Sequence, residues 1–198
     1  MKKYIIVACV LLLSACSLGV ASTPKEKVKE LLDKYKNQDS EIISSLDETI
    51  GSEYTGEYKD RYKKLILNQY KNMDYKITDE VIDEDTAVVT VDVTVYDYAS
   101  AIDSSNYYFS EHKDEFMNKS NDETTKEEGT NEAANEGTNE NTTVDNNKFL
   151  DYKFNELEKV SDKKTYTINF SLFKEDNKWV LETLSDSDMQ KLHGLYSE

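Results

Sequence analysis

The sequence is poor in the residues that build the common catalytic and ligand-binding motifs. Its 198 residues include two cysteines and six glycines. Two cysteines cannot form a disulfide-stapled scaffold, and these two lie only seven positions apart near the N-terminus. The glycines are scattered, whereas a loop that cradles phosphate needs clustered glycines for close backbone approach. The composition therefore argues against a disulfide scaffold and against a phosphate-binding loop.

Positive charge is scarce as well. The chain has 24 Lys and Arg against 40 Asp and Glu, which gives a formal net charge of −16 at pH 7. A field of this sign repels polyanions, so binding by neutralisation of phosphates is disfavoured. We therefore expect no nucleic acid among the partners of this protein.

Histidine and cysteine, the usual metal ligands and nucleophiles, are nearly absent. His112 lies in a charged stretch and is interpreted as solvated, and His193 precedes Gly194 near a predicted helix end, where a histidine meets the last carbonyls. Without ligand spacing, no zinc-dependent or cysteine-dependent enzyme is expected. The acidic clusters 83–85 and 186–188 lack the spacing of a calcium loop and are interpreted as a hairpin turn and a helix cap. We expect no metal and no cofactor.

The N-terminus has the pattern of an export signal. Two lysines, at positions 2 and 3, precede an unbroken apolar run of ten residues, 4–13. A transmembrane helix needs about twenty apolar residues, so this run is too short to span a bilayer. The run ends in Leu13-Ser14-Ala15-Cys16, which resembles a bacterial lipobox. The resemblance implies cleavage between Ala15 and Cys16 and attachment of a diacylglycerol to the Cys16 thiol.

This interpretation divides the chain into a signal peptide (1–15), a tether (16–22) and one domain (23–198). At about 3.3 Å per extended residue, the tether reaches roughly 20 Å. The domain is therefore expected close to the extracytoplasmic face of the cell membrane, held by membrane lipid, while its acidity repels anionic headgroups. Two alternatives stay open, namely ordinary cleavage after Gly19-Val20-Ala21 and an uncut anchor over 4–21.

The mature chain predicts helices followed by an antiparallel sheet. A hydroxyl cap, a proline in the first turn and a glutamate three positions after the cap mark a helix start at Thr23-Pro24-Lys25-Glu26. Strict alternation of apolar and polar residues marks strands with one covered face. The predicted elements are helices around 23–35, 42–50 and 52–72, strands at 75–82, 86–98, 165–172 and 179–184, and a last short helix that ends near Gly194.

The segment 118–147 interrupts this pattern between the two hairpins. Its apolar residues are Ala133, Ala134 and Val144, and the rest is rich in Asn, Thr and Glu. Such a composition buries too little surface to offset the entropy of ordering the chain. We predict a disordered acidic insertion, flanked by helical pieces around 107–117 and 149–160.

Helices packed on one side of a curved antiparallel sheet define an α+β domain. On this basis the chain resembles the small lipoproteins of Gram-positive, Firmicute-type bacteria whose exported domain has an NTF2-like or cystatin-like fold. The residues that carry the resemblance are the lipobox, the Tyr/Lys-rich helical stretch to Tyr75, Val95-Tyr96-Asp97-Tyr98, Trp179-Val180-Leu181, Ser185-Asp186-Ser187-Asp188 and Leu192-His193-Gly194-Leu195-Tyr196. The resemblance implies a fold and a location more than a reaction.

The sequence leaves three functions open. The first is a non-catalytic binding or interaction module that contacts an unknown protein or cell-wall partner. The second is an NTF2-like small-ligand binder or acid–base enzyme with a pocket near Asp97. The third is a stalk-like spacer.

The second function depends on where the side chain of Asp97 points. Asp97 has the parity of the apolar residues 89–95, which places it toward the covered side of the strand, with Tyr96 and Tyr98 on the opposite face. A buried aspartate has a raised pKa and can act as a base. In the alternative interpretation, Asp97 marks the point where the strand emerges into water. No other catalytic residue is proposed from the sequence.

Overall fold

The computed structural model describes residues 22–50, 54–117 and 144–197. These residues form an α+β fold of six α-helices, one 3-10 helix and one four-stranded antiparallel sheet. The elements are α1 (Pro24–Lys36), α2 (Ser40–Ile50), α3 (Glu57–Asn72), β1 (Asp74–Asp83), β2 (Thr86–Tyr96), α4 (Tyr98–Glu111), the 3-10 helix (Lys113–Phe116), α5 (Asn146–Leu157), β3 (Lys163–Glu175), β4 (Lys178–Leu181) and α6 (Asp186–His193).

The four strands pair in sequence order, β1-β2-β3-β4, and all pairs are antiparallel. Alternate residues of β2, such as Val89 and Val91, are fully buried, and they face Phe170 and Ile168 of β3. The predicted alternation is therefore confirmed, because the side chains of a strand point to opposite faces in turn. We call the buried side of the sheet the inner face and the other side the outer face.

Helices α1, α3 and α6 cover the inner face. Helix α1 starts with the expected capping box, in which the Thr23 hydroxyl accepts from the Glu26 N–H and the Glu26 carboxylate accepts from the Thr23 N–H. Val28 and Leu32 of this helix are fully buried in the core that the helices share with the sheet. The prediction of helices packed on one side of a curved antiparallel sheet is confirmed.

Helix α4, the 3-10 helix and α5 connect β2 to β3. They pack beside α3 around a second apolar cluster of Leu65, Tyr98, Phe154 and Leu157. The sequence placed a helix around 107–117, but α4 already begins at Tyr98 and ends at Glu111. Strand β2 is correspondingly shorter than the predicted 86–98 and stops at Tyr96.

The residues on either side of 118–143 meet at one place in this connection. Residues 118–143 lie outside the described residues, so the prediction of disorder there stays a prediction. The last four residues of the predicted insertion are ordered, however, because Val144 forms an antiparallel bridge with Met117 and α5 begins at Asn146. The Asp145 N–H also donates to the Phe116 carbonyl at 2.7 Å. The C-terminal boundary of the predicted insertion was therefore wrong by four residues.

Candidate functional site

Asp97 lies where the chain leaves β2 and turns into α4. It is the N-cap of α4, and its two carboxylate oxygens accept hydrogen bonds from the Ser100 N–H at 3.2 Å and from the Ser100 hydroxyl at 2.7 Å. An N-cap aspartate satisfies backbone donors that the first helical turn leaves free. The inward position inferred from strand parity was wrong, because the strand has already ended at Tyr96.

The two tyrosines beside Asp97 differ in burial, although their ring centres lie 6.0 Å apart and both pack in the second apolar cluster. Tyr98 is only 2% exposed, its hydroxyl donates to the Leu65 carbonyl at 3.4 Å, and burial raises its pKa. Tyr96 is half-buried, and the Lys163 ammonium lies 5.5 Å from its ring centre. These tyrosines therefore join the sheet to the α4 connection, whereas the Asp97 carboxylate is bonded to Ser100.

A buried glutamine that the sequence analysis missed organises this junction. Gln69 of α3 is fully buried, and its amide nitrogen donates to the carbonyls of Tyr96 and His193, each at 2.9 Å. Its amide oxygen accepts from the Tyr96 N–H at 2.8 Å. A buried amide without partners costs free energy, so this arrangement compensates for the burial of Gln69. The available signal was a polar residue on the apolar stripe of α3.

His193 is also part of the junction. Its Nε2 lies 2.8 Å from the Tyr70 hydroxyl, and burial lowers its pKa to about 4. The imidazole is therefore neutral at physiological pH and does not act as a cation at the helix C-terminus. The sequence predicted a contact with the last carbonyls, whereas the ring contacts the hydroxyl of a core tyrosine.

Gly194 ends α6 in the left-handed conformation, with φ of 70°. Its carbonyl accepts from the Ala99 N–H at 2.8 Å, which ties the C-terminal segment to the start of α4. A Cβ atom at this position would lie 2.0 Å from the Tyr96 carbonyl oxygen. Glycine is required here both for the backbone conformation and for close packing.

The two short acidic clusters have the structural roles expected from the sequence. Residues 83–85 form the turn between β1 and β2, where Glu84 has φ of 50°. Ser185 caps α6 by accepting from the Asp188 N–H at 3.1 Å. In the part of the chain that the structure describes, no three or more His, Cys, Asp or Glu side chains are grouped so that they could hold a metal ion.

The predicted cleavage and lipidation residues, Ala15 and Cys16, lie outside the described residues. Within 22–50, 54–117 and 144–197, no helix combines the length and the apolar character that crossing a bilayer requires.

The outer face of the sheet carries an exposed apolar band. Val81, Val88 and Phe173 are 58%, 38% and 37% exposed, and Val180 is half-buried. Val81 pairs with Val88 across β1 and β2, and Phe173 pairs with Val180 across β3 and β4. We call these four residues the outer apolar band. The rest of this face is polar and is linked by side-chain hydrogen bonds such as Thr94 to Thr165 at 2.7 Å.

No protein-family model and no curated protein matches the sequence. Among solved structures, this chain is similar to the Bacillus subtilis protein ycdA, described as a candidate lipoprotein, with 18% identity and a TM-score of 0.34. The similarity covers 89% of this chain and 48% of ycdA, so the chain spans about half the length of that protein.

Proposed function

We propose that the chain is an extracytoplasmic lipoprotein, cleaved after Ala15 and held on the cell membrane by a diacylglycerol on Cys16. The observation that carries the proposal is Leu13-Ser14-Ala15-Cys16 directly after a lysine pair and ten apolar residues. Two acyl chains, at about 0.8 kcal/mol per buried CH₂, hold a protein stably on a bilayer, whereas one chain is marginal. We include in this proposal that the exported domain has an NTF2-like or cystatin-like fold.

The start of the folded domain supports a short anchor. The capping box at Thr23 begins the first helix seven positions after Cys16. At about 3.3 Å per residue, this spacing keeps the start of α1 within roughly 20 to 25 Å of the acylated cysteine. The domain therefore works close to the membrane surface.

We further propose that the domain is a non-catalytic binding or interaction module. The one residue that the sequence offered for acid–base chemistry has a structural role, since the Asp97 carboxylate caps α4. A general base must reach the proton it abstracts, and a carboxylate committed to a helix cap is poorly placed for that task. The exposed outer apolar band supports a role in association, because such patches mark interaction surfaces.

The anchor is tested by mass spectrometry of the mature N-terminus. The full chain is expressed in a Gram-positive host, and its membrane and medium fractions are compared with those of Cys16→Ala. We expect a diacylglyceryl-modified N-terminal Cys16 in the membrane fraction, and loss of the modification and of cleavage after Ala15 in the variant. Cys9→Ala is the matched control, because Cys9 lies within the predicted signal peptide and its loss leaves processing intact. Native chain that begins at Ser22 in the medium contradicts the proposal.

A further inference from the structure

The outer apolar band crosses all four strands on the face opposite the described helices. Val81 lies on β1, Val88 on β2, Phe173 on β3 and Val180 on β4. Phe173 is diagonal to Val88, because Val88 pairs with Ser171, two residues before Phe173. Residues of one strand that are two positions apart share a face, so the four side chains form one continuous diagonal stripe.

Acidic side chains border one long side of this stripe, at the end of the sheet where both hairpin turns lie. The β1-β2 turn contributes Asp83, Glu84 and Asp85, and the β3-β4 turn contributes Glu175 and Asp176, all of them exposed. The two turns are adjacent, since the Lys174 N–H donates to the Asp85 carbonyl at 2.8 Å. Two lysines lie at the same end: Lys174 pairs with Asp85 at 3.3 Å, and Lys178 is exposed. Five acids against two lysines leave this end negative.

The negative charge beside the outer apolar band disfavours binding to some of the surfaces that could cover it. A second copy related by a two-fold axis would bring the same acidic turns close together, which costs electrostatic free energy. An anionic bilayer would repel them in the same way. A partner whose apolar surface is bordered by lysine or arginine would bind favourably for two reasons. It would bury the apolar band, and its positive charge would complement the acidic turns.

We infer that the outer apolar band is a docking surface for a cationic amphipathic helix of a partner protein. The inner face of the same sheet already packs against amphipathic helices such as α1, so this pleated surface suits helices. The band spans four strands at about 4.8 Å spacing, roughly 14 Å from β1 to β4, which corresponds to about nine or ten helical residues. Two to three helical turns with lysines or arginines beside the apolar stripe would therefore cover it.

The start of the domain lies near this surface. The Lys25 N–H in the first turn of α1 donates to the Glu80 carboxylate at 2.9 Å, and Glu80 directly precedes Val81. If Cys16 is the anchor, as proposed above, the band then lies near the end of the domain that the tether holds to the bilayer. The location of the partner near the membrane rests on that proposal, whereas docking on the band does not.

The test uses the mature lipidated protein in phosphatidylcholine vesicles, with protein-free vesicles as the blank. The probe is a fluorescent 18-residue helical peptide of leucine and lysine, and the comparison peptide has glutamate in place of lysine. We expect the lysine peptide to bind, its affinity to fall with rising salt, and the glutamate peptide not to bind. If Cys16 proves unmodified, the same titration is run on the secreted chain, so failure of the anchor is distinguishable from failure of docking.

Two variants separate docking on the band from general attraction to an acidic protein. Val81→Thr with Val88→Thr keeps the branched shape of both side chains and should weaken peptide binding about tenfold by removing apolar contact. Asp83→Asn, Glu84→Gln and Asp85→Asn together should weaken binding and reduce its salt dependence. The matched control neutralises three exposed acids elsewhere, with Glu48→Gln, Asp103→Asn and Glu111→Gln, and should keep the wild-type affinity.

Unchanged binding in the valine double variant overturns the inference, and so does equal weakening by the two sets of charge variants. Comparable binding of the lysine and glutamate peptides also overturns it. If the protein self-associates with rising concentration and the valine double variant does not, the occupant of the band is a second copy. If the protein binds phosphatidylglycerol vesicles and the double variant does not, the occupant is lipid. Either result means that the helix assignment is wrong.

Discussion

The side-chain amide of Gln69 pairs with the backbone of Tyr96 as a neighbouring strand would. The amide oxygen of Gln69 accepts from the Tyr96 N–H at 2.8 Å, and its nitrogen donates to the Tyr96 carbonyl at 2.9 Å. The last residue of β2 thus has both backbone groups satisfied by a helix side chain 27 positions earlier in the sequence. This contact holds α3 against the point where the sheet ends and α4 begins.

Gln69→Leu should destabilise the protein by about 2 to 4 kcal/mol, because it leaves the Tyr96 N–H and two backbone carbonyls buried without their partner. The free energy of unfolding is measured by urea titration with circular dichroism. Gln190→Leu is the control, since Gln190 is exposed on α6 and its replacement should change stability by less than about 0.5 kcal/mol. Equal effects of the two substitutions would contradict the proposed role of Gln69.

Gly194→Ala should be more destabilising than Gly56→Ala. Both glycines have positive φ, 70° and 58°, so each alanine is strained in its backbone, by about 1 to 2 kcal/mol at position 194, where ψ is 23°, and by up to about 3 kcal/mol at position 56, where ψ is −134°. At position 194 the new Cβ also meets the Tyr96 carbonyl oxygen and the Gln69 amide, whereas at position 56 nothing lies within 4 Å. Thermal unfolding of the two variants gives the comparison. Similar melting temperatures would show that the close approach at Gly194 contributes little.

The pKa of His193 gives stability a defined pH dependence. Burial lowers this pKa to about 4, below the unfolded value near 6.5, so the unfolded state binds the proton more readily. The contribution of His193 is therefore fully present above pH 6.5 and is lost as the pH falls toward 4, by about 2 to 3 kcal/mol.

His193→Gln removes the titrating group, so the difference in stability between wild type and this variant should change between pH 6.5 and pH 4. His112→Gln is the control, because His112 is exposed and pairs with Glu115 at 3.4 Å. This substitution should change the free energy of unfolding at pH 7 by less than about 0.5 kcal/mol. A pH-independent difference between wild type and His193→Gln would mean that His193 titrates normally in the folded protein.

Asp97→Ala should cost about 1 kcal/mol of stability, because the first turn of α4 loses its cap. Asp97→Asn should keep most of that stability, since asparagine also accepts a hydrogen bond from the Ser100 N–H. Urea unfolding of both variants, compared with wild type, measures the difference. If Asp97→Ala instead stabilises the protein, the Asp97 carboxylate is unfavourable for folding. That result would support a ligand-binding role for Asp97.

The sheet and its first helix could be predicted because their determinants are local. The alternation through Val89 and Val91 depends only on neighbours in sequence, and so does the capping box at Thr23. The start of α4 was not predicted because the alternating pattern of β2 continues in the sequence through Asp97, whose capping bonds form only after the chain turns. Composition alone could not place the end of the predicted insertion, because Val144 is ordered by pairing with Met117, 27 positions away.

The junction site could not be predicted for a related reason. Gln69 bonds to Tyr96 and to His193, and its distance from His193 is 124 positions. No local sequence pattern relates residues so far apart. Tyr96 and His193 were therefore assigned unrelated roles from the sequence. A polar residue on an otherwise apolar helix stripe was the one available indication of such a network.

The bridge between Met117 and Val144 has a consequence for how this chain can be altered. Because the two residues are paired side by side, a chain that joins Met117 to Val144 has to close a gap of one strand spacing, about 5 Å. The free energy of closing a loop changes slowly with its length. The ends of the chain at Met117 and Val144 are therefore close enough to be joined by a short linker, a fluorophore-bearing segment or an epitope.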